Sequence, residues 1–367
     1  MKEVISATEL RLTETWGELT LTDKTYAVRE PDVDIQSFIG FADWCGAAIP
    51  DGKGTNTTEQ RAMFDAVFSD DRWSAWESAQ KVASVGMGQP VKMGNLVVMT
   101  WQAPAEPVQL FTSANIIPGT FKFTLPDLSS RANYFEVAFV DRDREFKPDS
   151  GSWRDPDTIT NKEPEVRFEV EAFGVTRRSH AIRLARWYRL INKGKGTIVE
   201  FEVGRDAIAC MANDVIRFRH DSLGSGWDGR CATGGDNDKI VLDQPVTLAS
   251  GTTYSIVVRH NGYWSGGLYV GGDVLEERTV GGSTVFDSPT TDIYITSGLG
   301  YLPKPGDVYA LGTAVQGAAK KHRILELSRT QNVTARIVAI EYDESVYTDE
   351  EILVSQPPVI VDQPPSI

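Results

Sequence analysis

The sequence predicts a mainly β protein with a few helices, an α+β chain of several domains, and three observations carry that prediction. Its 367 residues, 41% hydrophobic and 24% charged, are ordinary globular composition and enough chain for roughly two to four domains. Its 32 glycines and 18 prolines fall between short alternating apolar runs, the rhythm of strands joined by turns. Helical periodicity is confined to a few stretches.

Charge and cysteine usage exclude several classes. With 37 basic and 51 acidic residues the chain carries −14, which opposes a surface that binds nucleic acid or anionic membrane throughout. No window reaches the roughly 18 to 20 apolar residues that cross a bilayer, and Met1-Lys2-Glu3-Val4 leads into polar sequence, so the expectation is a soluble, unexported chain. Cys45, Cys210 and Cys231 are far apart and odd in number; they read as plain buried thiols, neither a disulfide framework nor a metal knuckle.

Element by element, Glu18–Thr22 and Thr25–Val28 alternate as a hairpin around Asp23-Lys24, and a helix is expected from Ile35 to Cys45. Thr57-Thr58-Glu59-Gln60 places a capping hydroxyl three residues before a glutamine, which predicts a helix carrying Met63, Phe64 and Val67. Ser69-Asp70-Asp71 caps a second helix with Trp73, Trp76, Ala79 and Ala83, ended by Gly86 and Gly88; its tryptophans suit core packing better than stacking on a sugar or base. Leu96–Trp101 reads as a buried strand, and Ala103-Pro104-Ala105-Glu106-Pro107 as an irregular connection.

Strands are expected at Thr120–Thr124, Tyr134–Val140 and Val166–Glu171. Asp141-Arg142-Asp143-Arg144-Glu145 fits a solvated hairpin end better than a calcium loop, since arginines stand beside its acids and the loop glycine is missing. The clearest helix runs from Thr176 to Asn192 on Ala181, Leu184, Tyr188 and Ile191. Its other side holds Arg177, Arg178, Arg183, Arg186, Arg189, Lys193 and Lys195, with no carboxylate between Glu171 and Glu200. Two readings stand: a surface meeting polyanion or an acidic neighbouring subunit, or a solvated face with cations near the helix C-terminus.

Beyond Thr197 strand follows turn. Ala212-Asn213-Asp214-Val215-Ile216 and Pro305-Gly306-Asp307-Val308-Tyr309 each place a residue tolerant of positive φ before an aspartate and an apolar strand, without a true repeat. Gln356-Pro357-Pro358 to Gln363-Pro364-Pro365 reads as an extended linker.

Catalytic chemistry is hard to find. His180, His220, His260 and His322 form no HExxH and no short metal-ligand spacing, so neither metal nor cofactor is expected. Nucleophile elbow, Walker loop and dinucleotide fingerprint are missing; an acid pair for glycoside hydrolysis has no specific support. The glycosylation patterns at Asn56 and Asn332 mean little without export. One glycine-rich hairpin, Asn261 to Tyr269, offers Tyr263, Trp264 and Tyr269 as candidates for glycan contact, against the plainer reading of aromatics covering a β core.

From Asn115 to about Tyr347 the chain resembles the central region of the phage tail-tip attachment proteins, the J family of long-tailed phages. The resemblance rests on ordered, individually weak elements. Ser113-Ala114-Asn115-Ile116-Ile117-Pro118-Gly119-Thr120-Phe121 and Asn133-Tyr134-Phe135-Glu136-Val137 are similar to its strand entries. Gly174-Val175-Thr176-Arg177-Arg178-Ser179-His180-Ala181 through Arg186-Trp187-Tyr188 resembles its helix. Val199-Glu200-Phe201 to Asn213-Asp214-Val215-Ile216 follows, departing by Ala212-Asn213 where the family has Pro-Gly. Trp227-Asp228-Gly229-Arg230, Val241-Leu242-Asp243-Gln244-Pro245-Val246, Pro305-Gly306-Asp307-Val308, Arg323-Ile324-Leu325 and Ile337–Asp343 complete the order. Residues 1–112 match loosely.

The resemblance implies β-barrel-like tail-hub domains and a structural virion protein, not an enzyme: a homotrimeric hub of the tail tip or baseplate in viral tail assembly, coupling the tail tube to host attachment and opening a DNA passage for genome delivery. Its implied partners are further copies of itself, the distal tail protein, the tape measure, other tail-tip proteins and a host surface receptor. Its place is the virion, after assembly in the host cytoplasm. The expected organisation is a strand and helix segment at 1–55, a helix pair plus strand at 56–112, a β hub domain at 113–175, a helix with a β domain and hairpin insertion at 176–300, closing hub strands at 301–350 and a linker at 351–367. In a threefold ring Arg178, Arg183, Arg186 and Arg189 become candidates for a subunit interface or the lumen. A strongly positive lumen would retard DNA, which favours the seam. The competing function is a phage-associated carbohydrate-binding module or cell-wall-degrading enzyme.

Overall fold

In a computed structural model the described residues are dominated by strands, with four α-helices and several separate sheets among them. It describes residues 3–347 apart from 7–8, 12–14, 17–18, 21–24, 28–31, 52–56, 69–72, 126–131, 163, 194–196, 225, 266–267, 315–316 and 330–333; side chains of residues 1–31 and 261–273, and of Lys193, Leu223 and Ser345, also lie outside the description. Asn56, Asn332 and the proline-rich end fall outside it. The chain divides into two compact units, residues 1–49 with 59–101, and residues 50–58 with 102–367.

The first unit opens with β1 (Glu3–Ser6), β2 (Glu9–Arg11), β3 (Thr15–Trp16), β4 (Leu19–Thr20) and β5 (Thr25–Ala27). The turn of the hairpin expected around Asp23-Lys24 lies outside the described residues; of the flanking strands, β5 lies against β2 and β4 against β3. β6 (Asp32–Val33) leads into α1 (Ile35–Gly46), which agrees with the apolar spacing expected there. After β7 (Ala48–Pro50) comes β8 (Thr58–Gln60), so the helix expected from Thr57 is a strand followed by irregular chain. Tertiary contacts override the local capping pattern: the Arg61 and Ala62 N–H groups donate to the Ala47 and Cys45 carbonyls, and the Arg61 guanidinium lies 3.8 Å over the Trp44 ring.

α2 (Ala75–Ser84) begins later than the Ser69-Asp70-Asp71 cap would place it, because Ser74 and Glu77 form the capping box. Trp73 therefore precedes the helix, and Trp73 and Trp76 are half-buried beneath Lys81 and Lys92. β9 (Gly88–Met93) and β10 (Leu96–Trp101) form a hairpin, with β6 parallel to β10 on its other side.

The second unit holds β11 (Gln109–Phe111), β12 (Lys122–Thr124), β13 (Tyr134–Asp141), β14 (Lys147–Arg154), α3 (Pro156–Thr160), β15 (Arg167–Glu171) and α4 (Arg178–Lys193). There follow β16 (Ile198–Val203), β17 (Val215–Phe218), β18 (Trp227–Arg230), β19 (Lys239–Thr247), β20 (Tyr254–Ser265), β21 (Leu268–Thr279), β22 (Pro289–Tyr294), β23 (Val308–Thr313), β24 (Lys320–Arg329) and β25 (Ala335–Glu341). A six-stranded sheet runs β11-β17-β24-β25-β16-β12, over a core of Phe111, Val199, Phe201, Ile216, Phe218 and Ile337. Between β17 and β24 the chain builds a second body, a sheet in order β18-β23-β20-β21 with the β19–β22 pair, packed around Ile240, Leu248, Ile256, Ile293 and Tyr309. A third sheet, β14-β13-β15, carries α4.

The two echoing turns have the same build. Asn213 has φ 72° and Gly306 φ 95°, Asp214 accepts from the Met211 N–H at 2.7 Å, and Asp307 accepts from the Lys304 N–H at 2.8 Å. A Cβ at Gly306 would meet nothing within 4 Å, so backbone strain alone decides its replacement. Gly306→Val is expected to lower stability by about 1 kcal/mol or more and Asn213→Gly to be tolerated. Equal melting temperatures for Gly306→Val and the parent would refute this.

Candidate interaction surface

The basic helix α4 is packed into the fold on more than its apolar side. Ala181, Leu184 and Ala185 of α4 are fully buried, Tyr188 lies parallel to Phe135 of β13 at 6.5 Å, and Gly151 of β14 lets Ala181 approach so closely that a Cβ there would sit 2.8 Å from it. This geometry lays much of the basic side on the β13–β14 hairpin as well. Arg189 pairs with Asp155, both side chains under 10% exposed. Arg186 is buried with its guanidinium 5.6 Å from the Trp153 ring centroid, and Arg178 meets Asp149 at 3.4 Å, a carboxylate shared with Arg144.

The solvated-face reading is therefore corrected for Arg186 and Arg189: both are buried in the fold, while Arg178 and Arg183 are half-buried. The acids that compensate this helix come from β14 and from the cap of α3 just after it, 29 and 34 residues earlier in the chain. What remains to meet a partner is a weaker positive field than composition implies.

A second set of charges ties the inserted body to the six-stranded sheet. Arg259 of β20 donates to Asp206 and to Gln109, both at 3.2 Å, and Asn115 donates to the same aspartate at 3.1 Å. Arg230 reaches the carbonyls of Ala114 and Gly306, and Arg217 pairs with Glu277. Asp228, buried, accepts from the Ser113 N–H at 2.8 Å and lies 3.6 Å from Arg219; burial pushes its carboxyl up to about 7, with Asp221 adding and Arg219 opposing. Gly226 presses on the Arg219 guanidinium, leaving no room for a side chain. These are structural ties that fix one body against another.

The remaining candidates offer less. A cleft of about 100 Å³ at one end of the six-stranded sheet is lined by Phe218, Arg219, His220, Lys320, His322 and Glu341, and its cations already face acids: Lys320 meets Glu341 at 3.0 Å. His180, His260 and His322 are buried, and His220 stacks on Phe121. Among the described residues no group of three His, Cys, Asp or Glu could hold a metal ion. Cys210 and Cys231 are buried, but Cys45 is half-buried. For Tyr263, Trp264 and Tyr269 only backbone is described: Trp264 pairs with Tyr269 and Tyr263 with Val270, beyond the last β20 residue that β23 reaches, Arg259.

Apolar alternation gives no warning of the edge strands. β12 pairs only with β16 and β15 only with β13 among the described residues, and Phe123 on β12 and Phe168 on β15 stand half-exposed, 49% and 50%. No helix of the described residues is long and apolar enough to cross a membrane.

The family described as "Putative phage tail protein" matches residues 74–232. The tip attachment protein J of Escherichia phage SECphi27 is 25% identical over 363 residues, 95% of this chain and 28% of that protein. The tip attachment protein J of Escherichia phage SECphi4 is 23% identical over 192 residues, 52% of this chain and 16% of that protein. A tail protein from Neisseria meningitidis MC58 overlaps 46% of this chain and 51% of its own at 11% identity, with a TM-score of 0.32. The chain thus spans less than a third of the length of either Escherichia phage relative.

Proposed function

From the premise that the chain is a homologue of the phage tip attachment proteins, we propose that it is a structural component of a phage tail tip, without catalytic activity. One observation carries this: the similarity runs along 95% of the chain, through both compact units, instead of through one portable module. The internal use of charge supports it. Arginines that would otherwise serve a binding surface tie helix to hairpin and body to body.

In the finer reading the protein is a homotrimeric hub that joins the tail tube to host-attachment elements and surrounds part of the DNA path. Its partners are then the distal tail protein, the tape measure and other tip proteins, and its final place is the virion after assembly in the host cytoplasm. Half-buried Arg178 and Arg183 remain candidates for a subunit seam. Cryo-electron microscopy of intact particles, with the chain labelled, is expected to find it at the distal end of the tail tube around a threefold axis. Particles that lack it, or that carry it on the capsid, would overturn the reading, as would cell-wall hydrolysis abolished by one Asp or Glu substitution.

A further inference from the structure

We propose that β12 of one copy of this chain pairs with β15 of the next, a head-to-tail sheet seam between copies; this rests on the oligomeric part of the reading above. Both strands are open edges of the second unit among the described residues, whereas β11, the other edge of the six-stranded sheet, is fully buried. An exposed edge with apolar side chains is a template for another strand.

The two edges share one alternation of apolar and polar residues. On β12 and its flanks Phe121, Phe123 and Leu125 alternate with Lys122 and Thr124; on β15 and its flank Val166, Phe168 and Val170 alternate with Arg167, Glu169 and Glu171. With a period of two, each strand gathers its apolar residues on one side. Leu125 is 67% exposed and Val166 39%, so a good part of that area faces water in the single chain. Phe123 stacks on Phe121 at 6.2 Å and Phe121 on core Phe218 at 5.7 Å, while Phe168 touches Phe135 at 5.5 Å beneath α4. Pairing would join these two apolar sides into one continuous face.

Charge disfavours one of the three possible edge pairings and is compatible with β12 against β15. Lys122 lies 3.5 Å from Glu200 of β16 and keeps a side chain 72% exposed, and the polar side of β15 exposes Glu169 and Glu171 together with Arg167. Two β12 edges meeting would oppose lysine with lysine, which like-charge repulsion disfavours; two β15 edges can oppose Arg167 with a glutamate, so for that pairing the single-cysteine control and not charge makes the decision. β12 against β15 sets Lys122 beside the glutamates. A contact between two different edges is heterologous, and it closes into a ring when the rotation permits.

The test uses the full chain. Phe123→Cys and Phe168→Cys, combined in one protein under mild oxidation, are expected to give disulfide-linked dimers and trimers, while each single variant gives none. Linked dimers from either single variant would mean like edges meet and would overturn the seam; so would a double variant that stays unlinked. Independently, Lys122→Glu and Glu169→Lys should each weaken association by up to about fivefold, and the double reversal should restore it. Failure of that restoration also counts against the seam. Copies that cross-link yet are absent from particles would refute the tail assignment and leave the seam standing, whereas tail-borne copies that never cross-link would do the reverse.

Discussion

Arg189→Ala is expected to cost the folded state about 3–5 kcal/mol, the range for breaking a buried ion pair by removing one partner. Both side chains are nearly closed to water, 7% exposed for Arg189 and 6% for Asp155. Asp155 has little freedom to retreat, because its carboxylate also caps α3 by accepting the Asp157 N–H at 3.1 Å. Removing the guanidinium takes a buried cationic partner from Asp155. Reversing charge at both Arg186 and Arg189 goes further, setting an acid against Asp155, so that pair of substitutions probes folding and not assembly. Urea denaturation of Arg189→Ala beside Arg178→Ala makes the measurement: the Arg178 side chain is 41% exposed, and its loss should fall within about 0.5 kcal/mol. Equal, small effects would show that water reaches the Arg189 pair.

Features set by local rules could be read from the sequence. α4 and α1 follow from apolar spacing, β10 from its apolar run, and the left-handed residues at 213 and 306 from Asn-Asp and Gly-Asp before a strand. Non-local rules erased other signals. The Thr57–Gln60 capping pattern met a stronger pull from Ala47, Cys45 and Trp44. β14 could not be seen at all, since its sequence, KPDSGSWR, has poor strand propensity; it is a strand because β13 supplies its ladder and Gly151 lets α4 close over it.

The candidate surface divides in the same way. Composition located the arginines of α4 correctly, but a stretch without carboxylates is only locally uncompensated, and Asp149 and Asp155 neutralise it from another element. Exposure of Phe123 and Phe168 was equally hidden, because alternation tells which residues share a side and not whether a third strand lies alongside. Edge position is a property of topology.

Acid should weaken this fold through one histidine. His322 of β24 is 2% exposed, lies edge-on to Phe218 at 5.3 Å, and sets its Nδ1 3.3 Å from the Lys320 carbonyl, where a neutral ring donates. Lys320 and Glu341 are the charged groups beside it; burial outweighs both and lowers its pKa from 6.5 to about 4. Below pH 6.5 the unfolded chain takes up a proton that the folded chain refuses until about pH 4, so stability falls as pH falls through that window and is fully present above it. Each tenfold difference in proton affinity between the folded and unfolded chains is worth about 1.4 kcal/mol, so the loss between about pH 7.5 and pH 4.5 is about 2–3 kcal/mol. His322→Asn keeps an amide donor for the Lys320 carbonyl and cannot titrate, so its stability should decline less than the parent's by that amount. Denaturation curves of both proteins at the two pH values provide the comparison. Parallel declines would show that the ring accepts its proton in the folded state, and that the end of the six-stranded sheet is open to water at His322.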